Sequence, residues 1–155
     1  MITHHAGEAS PFQQASLRER EQLVRLAYTI GAHAFYIQPS RSPYDFTIVK
    51  GETIDILEAK FRNCVHDKYP TTMIELEKYN RIKGLWKDKM CTRALYVEFF
   101  TDDIALIYNL ATVEPKEWVR QKLVKNTAVD NGKIVKVVGF LEKEKAVKIK
   151  LIDMV

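Results

Sequence analysis

The sequence predicts an α/β domain in which helical and strand-like segments alternate along one chain of 155 residues. Two observations carry this expectation. First, the apolar period changes along the chain: Leu23, Leu26, Ala27 and Ile30 recur at helical spacing, whereas Thr53 to Phe61 is a run rich in isoleucine and leucine, as in a buried strand. Second, the composition is 46% hydrophobic and 28% charged, that of an ordinary globular protein. A chain of this length buries one good core and rarely makes two.

Residues 1 to 11 read as a loose arm, which leaves 12 to 155 as the single domain. In the first helix Ser16 is read as the N-cap, with Glu19 three residues later as in a capping box, and Gly31 supplies the stop. Advancing about 100° per residue, Glu19 falls on the stripe of Leu23, Leu26 and Ile30. Glu21 falls near Arg25 and Tyr28, as a solvated charge does. Three strands follow, and Asp45 and the run Ile56-Leu57-Glu58-Ala59-Lys60 lie on two of them. A second helix is expected from about Thr72 to Lys87, with an apolar arc of Ile74, Tyr79, Ile82, Leu85 and Trp86. Glu75 and Lys78 fall inside that arc; Glu77, Arg81 and Lys87 fall outside it. Arg93 to Phe100 and Ile104 to Leu110 read as a hairpin turned by Thr101-Asp102-Asp103. Pro115 opens a short helical stretch to about Val124. Lys133 to Phe140 and Ala146 to Met154 then read as a closing hairpin around a Glu-Lys-Glu-Lys turn.

Chemistry concentrates on Asp45, Glu58 and Lys60. Residues i and i+2 of a strand point to one face, so Glu58 and Lys60 project together while Ala59 turns away. A carboxylate and an ammonium on so apolar a strand are costly to bury unless they are paired or bound. Two carboxylates with a lysine beside them suit a divalent cation and a phosphate.

The order Pro43-Tyr44-Asp45, then Glu58-Ala59-Lys60, resembles the PD-(D/E)xK nuclease superfamily. That superfamily carries a proline-aspartate pair on one strand and Glu/Asp-x-Lys on the next. Tyr44 splits the dipeptide here, but the aspartate is retained. The resemblance implies the restriction-endonuclease-like fold: a mixed central sheet flanked by helices, with an α-β-β-β-α-β core and the closing hairpin as a C-terminal addition. It implies Mg²⁺, with Mn²⁺ able to substitute, held by Asp45 and Glu58 together with the Ala59 carbonyl and Glu19. Lys60 would orient or deprotonate the attacking water, or stabilise the transition state electrostatically. Lys78 would position phosphate or water. Read from the residues alone, Glu19 is equally a capping glutamate, and Lys78 equally a side chain that buries its methylenes and leads its ammonium to solvent.

The activity so implied is a metal-dependent deoxyribonuclease, similar to small phage or mobile-element nucleases and Holliday-junction resolvases. With no separate target-recognition domain visible, structure-specific or nonspecific cutting is expected rather than site-specific restriction. A resolvase would act as a symmetric homodimer. The alternative is a non-catalytic nucleic-acid-binding or assembly protein that keeps the fold. Degenerate members usually lose an acidic residue or the lysine, and all three are present here.

Charge and composition narrow the partners. Residues 61 to 155 carry 18 basic and 13 acidic side chains, against 6 and 7 in residues 1 to 60. Lys60 to Arg93 alone holds 9 basic and 4 acidic residues. The positive excess therefore begins at the candidate strand, as phosphate binding would require. Cys64 and Cys91 lack partner pairs, so neither a structural zinc site nor a disulfide framework is indicated. Cys64, His66 and Asp67 read as a polar loop rather than a metal cluster. No signal peptide and no long apolar run occur, so a cytoplasmic protein without a membrane partner is expected. His4 and His5 lie in the arm. A Gly-rich phosphate loop is absent, which argues against a nucleotide-driven motor.

Overall fold

The computed structural model describes residues 11–39, 42–126 and 129–154, with side chains described except at 11–16 and 122–133. Helix α1 (Pro11–Thr29) leads into strands β1 (Ala34–Ile37), β2 (Phe46–Lys50) and β3 (Thr53–Phe61). Strand β4 (Thr71–Glu75) and helix α2 (Leu76–Lys87) follow, then β5 (Arg93–Phe99) and β6 (Ile104–Asn109). The chain closes with β7 (Lys116–Asn126), β8 (Val129–Glu142), a 3-10 turn at Lys143–Lys145 and β9 (Val147–Lys150).

Six strands form a mixed sheet in the order β1-β2-β3-β5-β6-β9, and β4-β8-β7 form a second, antiparallel one. Within the large sheet β3 and β5 are the parallel pair. Parallel neighbours need a crossover connection, which β4 and α2 provide here. This is the predicted mixed sheet flanked by helices.

Alternation along β3 sorts the core into two layers. Leu57 and Ala59 pack with Leu23, Leu26 and Ala27 of α1, and with Phe46, Ile48, Val97 and Phe99. Ile56 faces the opposite way, against Ile74, Tyr79, Ile82, Tyr96, Tyr108 and Leu141. Glu58 and Lys60 therefore belong to the α2 face. Helix α1 stops where the sequence signals it: Gly31 takes φ +70°, and the Ala32 amide donates back to Ala27 O at 2.9 Å.

Several elements differ from the sequence reading. Helix α1 begins at Pro11, so Ser16 lies inside it and cannot be its N-cap, and the capping box involving Glu19 is not formed. The loose arm is expected on residues 1 to 11; residues 1 to 10, with His4 and His5, lie outside the described residues, and Pro11 already opens the helix. Residues 71–75 form β4 rather than the first turn of α2, because Thr71 to Glu75 pair with Glu142 to Val138 of β8. The stretch after Pro115 is strand β7, not a helix. Its residues from Val119 to Val124 pair in regular register with Val138 to Lys133, and that ladder overrides the local helical pattern. Finally, β8 and β9 are not a hairpin. The Glu-Lys-Glu-Lys segment moves the chain from one sheet to the other, where β9 pairs with β6. No helix among the described residues is long and apolar enough to cross a membrane.

Candidate active site

Strand β3 is longer than its neighbour. Pairing with β2 begins at Phe46↔Leu57, so Glu58 to Phe61 run past the start of β2 while β5 continues alongside them. The edge left open by β2 is filled by two carboxylates. Asp45 Oδ2 accepts the Ala59 amide at 2.8 Å, and Glu19 accepts the Phe61 amide. The Asp45 amide in turn donates to Leu57 O at 2.9 Å. Asp45 thus precedes β2 and is held by the end of the ladder. The N–H and C=O of one strand residue point to the same edge, which directs the Ala59 carbonyl into the gap that Asp45 and Glu19 border.

Helix α1 brings Glu19 to this edge along the stripe of Leu23 and Leu26, both fully buried. The Arg18 guanidinium lies 4.8 Å from the Phe61 ring centroid and fastens the middle of the helix over the end of β3. Glu21 is exposed.

From the other face α2 contributes cations. Lys78 Nζ is 3.8 Å from Glu58 Oε1 and 3.7 Å from Glu75 Oε2. Arg81, one turn on, brings Nη2 to 3.9 Å from the same Glu58 oxygen. Glu75 is the last residue of β4, not a helix residue, and it accepts a hydrogen bond from Lys136 of β8 at 2.6 Å. Asp45, Glu58, Lys60, Glu19 and Lys78 are thus gathered around the overhang of β3.

The electrostatics reflect crowding of like charges in a poorly hydrated place. Burial, and then the neighbouring Asp45, push the Glu58 carboxyl up to about 7, against the pull of Lys78 and Arg81. Burial likewise raises Asp45. Glu19 is raised by burial and by Asp45. Lys60 moves the opposite way, lowered to about 8 by burial and by the positive charges of Lys78 and Arg62. Glu75 sits below the usual range: burial pushes it up, but the Lys136 hydrogen bond and Lys78 outweigh that.

Three basic residues of this region are not picked out by the sequence reading. Arg81 is outside the apolar arc of α2 yet reaches Glu58; its i+3 spacing from Lys78 is the signal that links them. Arg62 continues the alternation Glu58-Lys60-Arg62. Its Nε donates to Glu98 Oε2 at 2.6 Å, and Nη2 donates to Tyr96 Oη at 3.2 Å and Met73 O at 3.1 Å. Glu98, fully buried, also accepts from Thr72 and Tyr108. In register, Tyr96 is beside Glu58 and Glu98 beside Lys60. Arg20, adjacent to Glu19, holds Asp45 down electrostatically, though less than Ala59, Lys78 and Arg81 do.

The donor set suits a hard divalent cation: carboxylate oxygens from Glu19, Asp45 and Glu58, and a strand carbonyl at Ala59. Two of these carboxylates rise partly through repulsion by Asp45, which a cation would relieve. As the side chains stand, no three His, Cys, Asp or Glu groups among the described residues converge to hold an ion. Glu58 is turned to Lys78 and Arg81, and one Asp45 oxygen is taken by the Ala59 amide. Cys64, His66 and Asp67 form no such cluster either; His66 Nδ1 pairs instead with Asp102 Oδ2 at 2.6 Å.

No protein-family model matches the chain, and no curated protein matches it in sequence. Among solved structures, it is similar to Hjc, a Holliday junction resolvase from the archaeal hyperthermophile Archaeoglobus fulgidus. The identity is 10%, the TM-score is 0.59, and the match covers 86% of this chain and 91% of that one. At this identity the likeness speaks for architecture alone, the restriction-endonuclease-like fold.

Proposed function

We propose that the protein is a divalent-metal-dependent nuclease that hydrolyses DNA phosphodiester bonds, with a preference for branched or otherwise structured DNA. The observation that carries this reading is the overhang of β3. Three carboxylates and a lysine of lowered basicity meet there on the fold of a Holliday junction resolvase. Asp45, Glu58, Glu19 and the Ala59 carbonyl would hold Mg²⁺ or Mn²⁺. When bound, such a cation supplies positive charge beside the scissile phosphate and acidifies the attacking water.

The chain's own groups do the rest. Lys60, eased toward its neutral form, takes a proton from the water or holds it in line. Lys78 and Arg81, now beside Glu58, would present positive charge to the non-bridging phosphate oxygens. Arg62 and Glu98 lock together behind Lys60 and keep its strand in place. Complete retention of Asp45, Glu58 and Lys60 favours this reading over a non-catalytic DNA-binding protein.

The test is incubation of plasmid, single-stranded and four-way-branched DNA with Mg²⁺, Mn²⁺ or EDTA. Cleavage with either metal and none in EDTA is expected, fastest on the branched substrate. Tight DNA binding without cleavage under any metal would favour the non-catalytic alternative.

A further inference from the structure

Strands β7 and β8 form an antiparallel ribbon that continues past the end of β4. The last β4 contact is Glu75↔Val138; beyond it Lys133 to Val137 of β8 pair with Arg120 to Val124 of β7, and after a register shift Asn126 pairs with Val129. On the β7 side this is residues 120–126, at ~3.3 Å per residue a reach of roughly 23 Å. Residues 120–135 carry 4 basic side chains and 1 acidic one. The register Arg120↔Val137, Lys122↔Val135 and Val124↔Lys133 puts residues 120, 122 and 133 on one face of the ribbon. Arg120 is exposed, and Val135, two residues from its partner Val137, is 63% exposed.

The root of the ribbon is fixed to the candidate site. Lys136 is hydrogen-bonded to Glu75, whose other oxygen lies 3.7 Å from Lys78. Trp118 packs over Gly139 and against Tyr79 of α2, with ring centroids 5.6 Å apart. A ribbon so anchored has a defined direction from the active edge.

We infer that the β7–β8 ribbon is a second DNA contact, binding the phosphate backbone of a duplex arm that leaves the active site. This rests on the reading of that site as one acting on DNA. A reach of roughly 23 Å spans about seven base pairs at ~3.4 Å each. The ribbon's sequence is basic, and Arg120 and Val135 on it are exposed, which suits sugar-phosphate backbone. A second copy of the chain suits it poorly, because two such ribbons would bring like charges together.

The test measures binding of the full chain to fluorescent duplexes of about 30 and about 10 base pairs in EDTA, across a salt series. Arg120→Gln/Lys122→Gln/Lys133→Gln is compared with the parent protein, circular dichroism serving as the folding control. Each lost phosphate contact lowers the slope of log K against log salt by about 0.9. The triple variant should therefore show a slope shallower by about 2.7, a loss of at least about tenfold on the long duplex at low salt, and no preference for the long over the short one. If the triple variant fails to fold, Arg120→Gln alone should lower the slope by about 0.9. An unchanged slope and an unchanged preference would overturn the inference. So would a change in sedimentation with DNA binding intact, which would assign the ribbon to self-association. The two readings fail separately: a parent protein that cuts nothing, yet loses duplex binding in the variant, keeps the ribbon contact and rejects the nuclease.

Discussion

Glu58 is the residue whose environment says most about what the site needs. Its folded-state pKa of about 7 exceeds the ordinary 4.5. The folded protein therefore holds more protons than the unfolded one between those values, and stability falls as pH rises from about 4.5 to about 7. Lys60, lowered from 10.5 to about 8, adds a penalty below pH 8 that is relieved as pH climbs toward 10.5. Removing the Glu58 charge should thus stabilise the metal-free protein: at pH 8 in EDTA, Glu58→Gln should raise the unfolding free energy by an amount on the order of 3 kcal/mol. Urea titration checks this, and an equal or lower stability would contradict it. Substituting Lys60 by Ala should slow cleavage by about 10²- to 10⁴-fold with DNA binding largely kept. Lys60→Arg separates the roles, since guanidinium stays protonated; activity regained in the arginine variant would mean charge rather than proton transfer. Glu19→Gln should weaken cleavage without unfolding the protein, while Glu21→Gln, at an exposed position, should be nearly silent; equal effects in parallel rate assays would remove Glu19 from the site. The grouping of Asp45, Glu58 and Lys60 is legible in the sequence because strand alternation and the motif act locally. The direction of Glu19 follows from helical phase. Arg81 is not legible from the apolar arc, which it lies outside; its i+3 spacing from Lys78 points to Glu58 once α2 is placed across β3.

Among the elements, those read correctly are the ones whose own pattern decides their state. The Thr53–Phe61 strand and the hairpin of β5 and β6 are examples. Those read differently are set by partners distant in sequence. Thr71 to Glu75 carries Ile74 and Glu75 at positions that also fit a helix, and its pairing with β8 decides for a strand. The stretch after Pro115 becomes β7 for the same reason. Its attachment is tight at Gly139, where an added Cβ would come to 2.8 Å from Pro115 Cβ and from the Trp118 ring. Gly139→Ala should therefore lower stability by about 1–3 kcal/mol, as overpacking does, and loosen Trp118 from Tyr79. Urea unfolding with tryptophan fluorescence measures both. An unchanged midpoint would mean that the ribbon root has more freedom than its packing indicates.

At the scale of the whole molecule, α1 covers one face of the large sheet, and α2 with the second sheet covers the other. The candidate site lies where β3 outruns β2, between these layers, so carboxylates from one side and cations from the other reach the same strand. The mixed sheet is legible from the resemblance of the Asp45 to Lys60 motif. The second sheet is not, because it pairs β4 with β8, more than sixty residues away. The most direct test of the nuclease reading compares the parent protein with Asp45→Ala on supercoiled and branched DNA in Mn²⁺, alongside calorimetric Mn²⁺ titration and thermal unfolding of both. The parent should bind Mn²⁺ and cleave, and the variant should lose both while unfolding at the same temperature or higher. Cleavage and Mn²⁺ binding that persist unchanged in a folded Asp45→Ala protein would contradict it.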